Sequence, residues 1–465
     1  MSLSVAIAVS GRWESSLVTT LERATDAQIA RRCPDLADLL AVAGSGLAQV
    51  AMVSADLRTL DRTALDHLRE CSVAVVGVYP PGDEMAELHL RQLGISIVIT
   101  ADAPGEVIQQ VLDATEQQPQ AEGQAPWPGP VLPDRRSSEP VADSAGGGVS
   151  GRTGAPVGRA DHPDPAAHLG KGSNGSHPAL GSIIAVWGPT GAPGRTTVAL
   201  NLASELARLG QSTVLVDADT YGGCIAQSLS LLDEAPGLAA ATRSADQGNL
   251  DLAVLAGLAP EVSPGLRVLT GIPKAERWPE LRAAALEHVL TLTRRLGRFT
   301  VIDCGFSLED DEELSYDTLA PRRNAATLTS LAAADQVVAV GAGDPIGLQR
   351  LVRGLQELAT LPGPSPTVVV NRVRASAVGP HPERRIREAL VRFAGVDEAR
   401  FIPDDPATMD AALLAGQSLA EAGPHSSVRH SLMALASELS GLPAPDVGSR
   451  RRNGLRRYGR QEASA

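Results

Sequence analysis

The sequence lacks the features that mark secreted, metal-binding and membrane-spanning proteins. It contains only four cysteines in 465 residues, and they lie too far apart for a redox pair or a metal-ligand set. No run of about 18 apolar residues occurs, which argues against a transmembrane helix. The start, Met1–Val9, carries no basic segment and predicts a β-strand, not a signal peptide. We therefore expect a cytoplasmic protein with buried, reduced thiols.

Positive charge is scarce over most of the chain. The formal net charge is −13, which argues against nucleic-acid binding by the whole surface. The exception is an arginine-rich C-terminus, residues 449–460, interrupted by Gly454 and Gly459. Two interpretations of this tail stay open: a solvated segment, or a weak electrostatic contact with anionic membrane or DNA. The glycines make it a poor membrane-surface helix.

Composition divides the chain into four segments. Residues 1–115 alternate short β-branched runs with amphipathic stretches, which predicts a small parallel sheet with helices on both faces. Residues 116–178 are rich in Pro, Gly, Ser and Gln and predict a flexible linker. Residues 179–443 repeat the strand–helix alternation and predict a larger α/β domain with a mostly parallel sheet. Residues 444–465 form the basic tail, which we expect to be disordered.

The segment Ser182–Val198 indicates a phosphate-binding loop. A short apolar strand leads into a Gly/Pro-rich loop, and a helix then begins near paired threonines. Gly191 and Gly194 allow the backbone to approach phosphates closely, Thr196 is placed to bind Mg²⁺, and Thr197 to reach a phosphate. Arg195 occupies the position that normally carries lysine. The order of these features predicts a nucleoside triphosphate site, with its charge supplied by an unusual residue.

Four further segments place polar residues where strands of the second domain end. Ligands of open α/β sheets bind at that edge, so these residues are candidates for one site. Asp217 and Asp219 would orient the attacking water and hold the metal shell, although capping or turn roles are equally open to them. Asp303 would hold Mg²⁺ through water, and Asn371 would read a base edge. Residues 401–406 are expected to form a loop that closes over the base.

The order and spacing of these five segments resemble the MinD/ParA group of P-loop ATPases over residues 182–442. Members carry a loop of the form Lys-Gly-Gly-x-Gly-Lys-Thr-Thr, which corresponds here to Thr190-Gly-Ala-Pro-Gly-Arg-Thr-Thr197. The resemblance implies ATP and Mg²⁺ as cofactors. It implies these roles by position: phosphate contacts from Gly191, Ala192, Gly194, Arg195, Thr196 and Thr197, a catalytic group of Arg195, Asp217 and Asp219, metal contacts from Thr196 and Asp303, and adenine-side contacts from Asn371, Pro403 and Asp404.

The loop departs from the family pattern at Thr190, Ala192 and Arg195, and it carries a proline, Pro193, at the variable position. Thr190 replaces the lysine that reaches the partner's nucleotide in a dimer, and Arg195 replaces the lysine on the β- and γ-phosphates. Arginine keeps the charge but presents a broad planar fork. Ala192 replaces a glycine whose left-handed freedom the loop needs, and Pro193 removes one amide donor. We therefore expect nucleotide binding to persist, with hydrolysis slow or absent and nucleotide-dependent dimerisation weakened.

The first domain resembles a response-regulator receiver, and the whole arrangement resembles CpaE-type proteins, which are associated with pilus assembly and polar or septal placement. A working receiver needs an acidic pair and an acceptor aspartate, but Ser54 stands at the acceptor position and Asp56 lies two residues beyond it. No phosphorelay is expected. A docking module and a plain structural domain both fit this segment.

The resemblance implies a nucleotide-dependent spatial switch that contacts a cell-envelope or division machine, in the cytoplasm or at the inner face of the membrane. Two other functions stay open. One is a pseudo-ATPase scaffold without turnover, favoured by Thr190, Pro193 and Arg195. The other is a ParA-like DNA-partitioning protein, which the acidic core disfavours because such a protein needs a basic surface.

Overall fold

The computed structural model describes residues 3–24, 26–117, 180–231, 236–310 and 321–443. The predicted linker lies outside these residues except for its first two positions, which end a helix at Gln117. The arginine-rich tail also lies outside them. The described parts of residues 1–117 and 180–443 belong to one compact unit that contains two β-sheets.

The first domain is a five-stranded, entirely parallel sheet in the order β2-β1-β3-β4-β5, which is the flavodoxin-like order. Its strands are β1 (Ser4–Ala8), β2 (Gln28–Arg32), β3 (Val50–Ser54), β4 (Ala74–Tyr79) and β5 (Ile97–Thr100). Its helices are α1 (Gly11–Ala24), α2 (Leu36–Gly44), α3 (Arg62–Glu70), α4 (Glu84–Leu93) and α5 (Gly105–Gln117). This matches the small parallel sheet with helices predicted for residues 1–115, to which β2 adds a polar edge strand with largely exposed side chains.

The second domain is an eight-stranded sheet in the order β13-β12-β11-β6-β10-β7-β9-β8, parallel except for β8. Its strands are β6 (Ser182–Trp187), β7 (Thr213–Ala218), β8 (Glu261–Ser263), β9 (Leu266–Leu269), β10 (Phe299–Cys304), β11 (Gln336–Ala342), β12 (Thr367–Val373) and β13 (Ala399–Pro403). The predicted α/β class is confirmed for both domains.

Helices cover both faces of this sheet. Those before β11 are α6 (Arg195–Arg208), α7 (Ile225–Ser228), α8 (Gly237–Asp246), α9 (Leu252–Leu258) and α10 (Ala283–Leu296), together with a short 3₁₀ helix at Ala275–Glu280. The later ones are α11 (Ala325–Ala332), α12 (Pro345–Leu358), α13 (Ala375–Val378), α14 (Pro382–Ala394), α15 (Pro406–Ala415), α16 (Leu419–Ala422) and α17 (Ser427–Ser440). In the described part of the chain, no helix combines the length and apolarity needed to cross a membrane.

Strand β6 shows why helices pack on both faces. Its side chains alternate between two cores: Ile183, Ala185 and Trp187 face one, and Ile184 and Val186 face the other. A central strand buried on both faces is continuously apolar, as the sequence is here. The second core includes the stripe of α6 that the sequence predicts, and Gly210 follows that helix with a φ of +80°. This packing fixes the loop between β6 and α6 at the carboxyl edge of the sheet.

Residues 401–406 do not form the predicted loop. Their first part completes β13, and Asp405 then caps α15, whose first residue is Pro406. Asp405 accepts a hydrogen bond from the Thr408 amide at 3.2 Å. The prediction was wrong because a five-residue edge strand is too short to show a pattern, and an Asp-Pro pair suits a helix start as well as a turn.

Helix α3 of the first domain packs against α8 and α10 of the second. The Arg62 guanidinium donates to the Ala245 carbonyl at 2.9 Å, and Arg282 bonds both Asp61 at 3.1 Å and Asp246 at 3.3 Å. Burial lowers the pKa of Arg62 to about 10. The two domains are therefore joined by a partly buried network of charges.

A buried ion pair anchors α6, the helix that follows the loop. Arg429 on α17 donates to both Glu205 carboxylate oxygens at 2.7 and 3.3 Å, and to the Pro424 carbonyl at 2.7 Å. The Glu205 side chain is 2% exposed and that of Arg429 is 10% exposed. Removing one partner of such a pair leaves an uncompensated buried charge, which is costly. The pair therefore helps to hold α6 in place.

We predict that Arg429→Ala lowers the free energy of unfolding by about 3–5 kcal/mol. Arg400→Ala is the matched control, because Arg400 also bonds a glutamate of α17, Glu438, at 2.6 and 2.7 Å but at the surface. An exposed pair contributes at most about 1 kcal/mol. Urea denaturation of both variants measures the difference, and equal losses would contradict the assignment.

Candidate functional site

The loop Thr190–Thr197 uses left-handed backbone at three positions. Gly191 has a φ of +104°, Ala192 of +51° and Gly194 of +98°. The left-handed conformation at Ala192 is the one for which the sequence predicted a need for glycine, and a residue with a Cβ is strained there. Helix α6 begins at Arg195 and has no side-chain cap. Its first-turn amides are therefore available to an anion.

Arg195 turns its guanidinium inward across the loop. It donates to the Gly188 carbonyl at 3.1 Å and the Pro189 carbonyl at 3.3 Å, and it pairs with the Asp219 carboxylate at 3.1 Å. Its side chain is only 11% exposed, and its Nε is buried without a partner among the described residues. The loop thus keeps a positive charge, but that charge is engaged by the protein itself.

Asp217 and Asp219 hold the segment that follows β7. The Asp217 carboxylate accepts from the amides of Asp219 at 3.3 Å and Ile225 at 3.1 Å, and Asp219 accepts from Tyr221 at 2.9 Å and Gly222 at 3.2 Å. Burial raises the pKa of Asp217, and backbone amides oppose this. The capping and turn roles that the sequence left open are both present, and Asp219 adds the pair with Arg195.

Asp303 is a completely buried carboxylate at the end of β10. It lies in register with Asp217 on β7 and with Val186 on β6. Neither of its oxygens has a hydrogen-bond partner among the described residues. Burial raises its pKa well above the usual range, as does the charge of Asp217. The Thr196 hydroxyl, which lies close by but outside hydrogen-bond geometry, and the charge of Arg195 oppose the shift. A buried acid without a donor is costly and needs a functional explanation.

The residues present fit a magnesium ion brought in with a nucleotide. Thr196 and Asp303 are near one another, and the two unpartnered Asp303 oxygens are suited to a water-mediated contact with a cation. In the described ranges, no group of three or more His, Cys, Asp or Glu side chains is arranged to hold a metal. Mg²⁺ commonly relies on one or two protein ligands together with phosphate oxygens and water, so this pattern is compatible with a nucleotide-dependent site.

Asn371 fastens the loop to β12. Its amide nitrogen donates to the Pro193 carbonyl at 2.9 Å, and its amide oxygen accepts from the Arg372 backbone at 2.9 Å. A Cβ at Gly194 would collide with this amide. Asp404 instead lies 3.6 Å from Arg374, and the described contacts include none between Pro403 or Asp404 and the loop. The adenine-side roles of Asn371, Pro403 and Asp404 stay predictions.

An aromatic and arginine cluster borders the site and was missed by sequence reasoning. The rings of Tyr221 and Phe306 lie 4.6 Å apart, and the Arg323 guanidinium stacks 3.7 Å from the centre of the Tyr221 ring. Arg323 also donates to the Thr220 hydroxyl at 2.7 Å. Aromatic residues make up only 3% of the chain, so one that lies two positions after Asp219 and another two positions after the end of β10 could have indicated this cluster. The contact of Arg323 with the Tyr221 ring could not be predicted from the sequence, because only the fold brings these residues together.

No protein-family model matches the chain, and no curated protein is significantly similar to it. Among solved structures, a ParA family ATPase from Chlorobium tepidum TLS is 18% identical with a TM-score of 0.47, covering 55% of this chain and 98% of that chain. The septum site-determining protein MinD complexed with Mg-ADP from Pyrococcus horikoshii OT3 is 19% identical with a TM-score of 0.45, covering 56% and 96%. The cell division ATPase MinD from Pyrococcus furiosus is 20% identical with a TM-score of 0.45, covering 57% and 100%. These similarities are weak, so we base the function on the geometry of the site.

We predict that Asp303→Asn stabilises the ligand-free protein increasingly as pH rises. Burial raises the pKa of Asp303 in the folded state, so the folded protein retains a proton that the unfolded chain releases near pH 4. Stability is then lost as pH rises through the folded-state pKa, and the variant avoids this loss. The Tm difference between variant and unmodified chain at pH 5, 7 and 9 measures it.

Asp335→Asn is the control with the opposite sign. Partial burial raises the pKa of Asp335, but the Arg294 guanidinium and the Ile183 amide outweigh this and lower it overall. That carboxylate therefore stabilises the protein above pH 4, and its replacement should lower Tm at pH 7 and 9. A Tm difference for Asp303→Asn that does not vary with pH would contradict the assignment.

Proposed function

We propose that the chain is a MinD/ParA-like nucleotide-binding protein that takes Mg-ATP at the carboxyl edge of the larger sheet. One observation carries the proposal: the fully buried, unpartnered Asp303 lies beside Thr196, in the first turn of a helix whose N-terminus has no side-chain cap. A carboxylate, a hydroxyl and free amides are the groups that a Mg²⁺–triphosphate needs. Mg²⁺ would neutralise charge on the phosphates, which is the chemistry it supplies in such sites.

The existing contacts of Asp217, Asp219 and Arg195 favour slow hydrolysis. A water positioned for attack needs an acceptor, and Asp217 and Asp219 are the nearby carboxylates. Both are engaged by backbone amides, and Asp219 also by Arg195. Arg195 would have to leave the Gly188 and Pro189 carbonyls to reach a phosphate. Each turnover therefore requires this network to rearrange, which favours a slow ATPase.

The cellular role we propose is a CpaE-type spatial switch for pilus, secretion or septum assembly. Its support is the order of the domains, a flavodoxin-like domain followed by the nucleotide domain, and the absence of an acidic acceptor at Ser54. The first domain would then act by docking and not by phosphorelay. Nucleotide-dependent homodimerisation and contact with a protein of the cell envelope or division machine belong to the same proposal. The site would work in the cytoplasm or at the inner face of the membrane.

The second candidate is a pseudo-ATPase scaffold, and the Arg195–Asp219 pair favours it. In that function the pair, 3.1 Å long and largely buried, would stabilise the loop permanently in place of a phosphate. A ParA-like partitioning function would depend on the arginine-rich tail for DNA contact, and that tail lies outside the described residues. The three functions differ in whether ATP binds and whether it is hydrolysed.

The deciding experiment is calorimetry of ATP and ADP binding to the full chain with Mg²⁺, combined with phosphate release. The switch predicts micromolar or tighter ATP binding and slow, Mg²⁺-dependent turnover that Asp303→Ala abolishes. Binding without turnover would support a nucleotide-sensing scaffold. No binding at millimolar ATP would refute the nucleotide site.

Arg195 provides a test of the loop itself. Arg195→Ala should reduce ATP affinity at least tenfold, because a charge-assisted contact contributes about 1.5–3 kcal/mol. Arg195→Lys should preserve or raise the affinity. The guanidinium is held by three acceptors, whereas the flexible lysine ammonium can leave Asp219 more easily to reach a phosphate. Calorimetry on both variants measures this, and indifference to both changes would mean that Arg195 does not hold phosphate.

A further inference from the structure

The candidate site has more acidic than basic side chains. Three carboxylates, Asp217, Asp219 and Asp303, are at most 5% exposed, whereas the loop itself supplies one cation, Arg195. That cation is already paired with Asp219, and Thr190 contributes no charge. A triphosphate adds further negative charge, and buried charges of one sign strongly disfavour one another. A second cation beside the loop would offset part of this.

Arg350 on α12 is the residue in that position. Helix α12 follows β11, which pairs with β6, the strand that leads into the loop. The Arg350 side chain reaches back over the loop and packs on Gly191: a Cβ built there would collide with its Nη1 and lie 3.2 Å from its Cζ. Gly191 therefore needs to be glycine for two reasons, its φ of +104° and the closeness of this guanidinium.

The Arg350 guanidinium is also available to bind a ligand. It is exposed and forms no hydrogen bond or ion pair with another residue of the described ranges. Three other arginines near the site are engaged: Arg195 with Asp219, Arg374 with Asp404, and Arg323 with Thr220. A planar guanidinium with unused donors, held against a loop of free amides, suits phosphate oxygens.

We infer that Arg350 contacts the phosphate groups of the nucleoside triphosphate bound at Thr190–Thr197 and supplies in cis the positive charge that Thr190 lacks. The inference rests on the proposed function, because it requires a nucleotide at the loop. It assigns Arg350 to binding and positioning of the β- and γ-phosphates. It also explains how a loop whose own arginine is tied to Asp219 can still attract a triphosphate.

The test is calorimetry of ATP and AMP binding, with Mg²⁺, to full-length Arg350→Gln and Arg353→Gln. Arg353 is the matched control, since it lies on the same helix, is exposed and is likewise without a partner among the described residues. We expect Arg350→Gln to weaken ATP binding roughly tenfold to hundredfold, with little effect on AMP, which lacks the β- and γ-phosphates. Arg353→Gln should bind ATP as the unmodified chain does, and Arg350→Lys should recover part of the loss.

The outcomes separate the two proposals. If the unmodified chain binds ATP and Arg350→Gln binds it equally well, the inference is wrong and the proposed function stands. If both glutamine variants lose the same affinity, the effect is general surface charge and the inference is again wrong. If the unmodified chain binds no ATP, both fall. Because both side chains are exposed, all three variants should unfold at the Tm of the unmodified chain, which thermal denaturation verifies.

Discussion

The site depends on the burial of aspartate side chains at the ends of neighbouring parallel strands. Asp217 and Asp303 stand in register on neighbouring strands, both fully enclosed, and burial raises the pKa of each. Asp217 is compensated by backbone amides, whereas Asp303 has no donor among the described residues. Evolution toward stability alone would remove such a carboxylate, since a buried unpaired charge destabilises the fold. Its presence is therefore best explained by a ligand, and the groups around it decide which ligand fits.

The shape of the Arg195 side chain, as well as its charge, determines what it contacts in the loop. A lysine in this place would present one compact ammonium, whereas the arginine fork satisfies two loop carbonyls and Asp219 at once. The guanidinium therefore stabilises the loop in the absence of phosphate. Releasing it from these three acceptors requires free energy. Pro193 and Ala192 act in the same direction, one by removing an amide and the other by straining the backbone at a φ of +51°. Under the proposed function, these three residues would weaken nucleotide binding and slow turnover, whereas Thr196 and Asp303 would remain available to the metal.

Helix α8 links the acidic segment to the first domain. Its first residue, Gly237, donates to the Thr270 hydroxyl at 2.8 Å, next to Gly271, where a Cβ would lie 2.6 Å from the Asp217 carboxyl carbon. Its last turn meets Arg62 through the Ala245 carbonyl and Thr63 through Asp246. A ten-residue helix spans about 15 Å, which is the distance that α8 bridges between these two sets of contacts. One helix thus contacts both the first domain and the segment beside Asp217.

The sequence predicts those parts of the structure that depend on local chemistry. Continuous apolar runs predict the buried strands of the larger sheet, because a strand buried on both faces is apolar at nearly every position. The short edge strands β8 and β13 have no such run, which is why residues 401–406 were predicted to form a loop. In the site, the left-handed backbone at Ala192 was predictable from the loop pattern, because the backbone conformation of a short loop depends mainly on its own residues. The direction of the Arg195 side chain did not, because it depends on Asp219, 24 residues away. The position of Arg350 could not be predicted for a stronger reason: nothing in residues 345–358 places this side chain at the loop until the pairing of β6 with β11 brings that helix beside Gly191. A positive charge beside a loop can therefore come from a neighbouring helix as well as from the loop's own sequence, and only the fold reveals it.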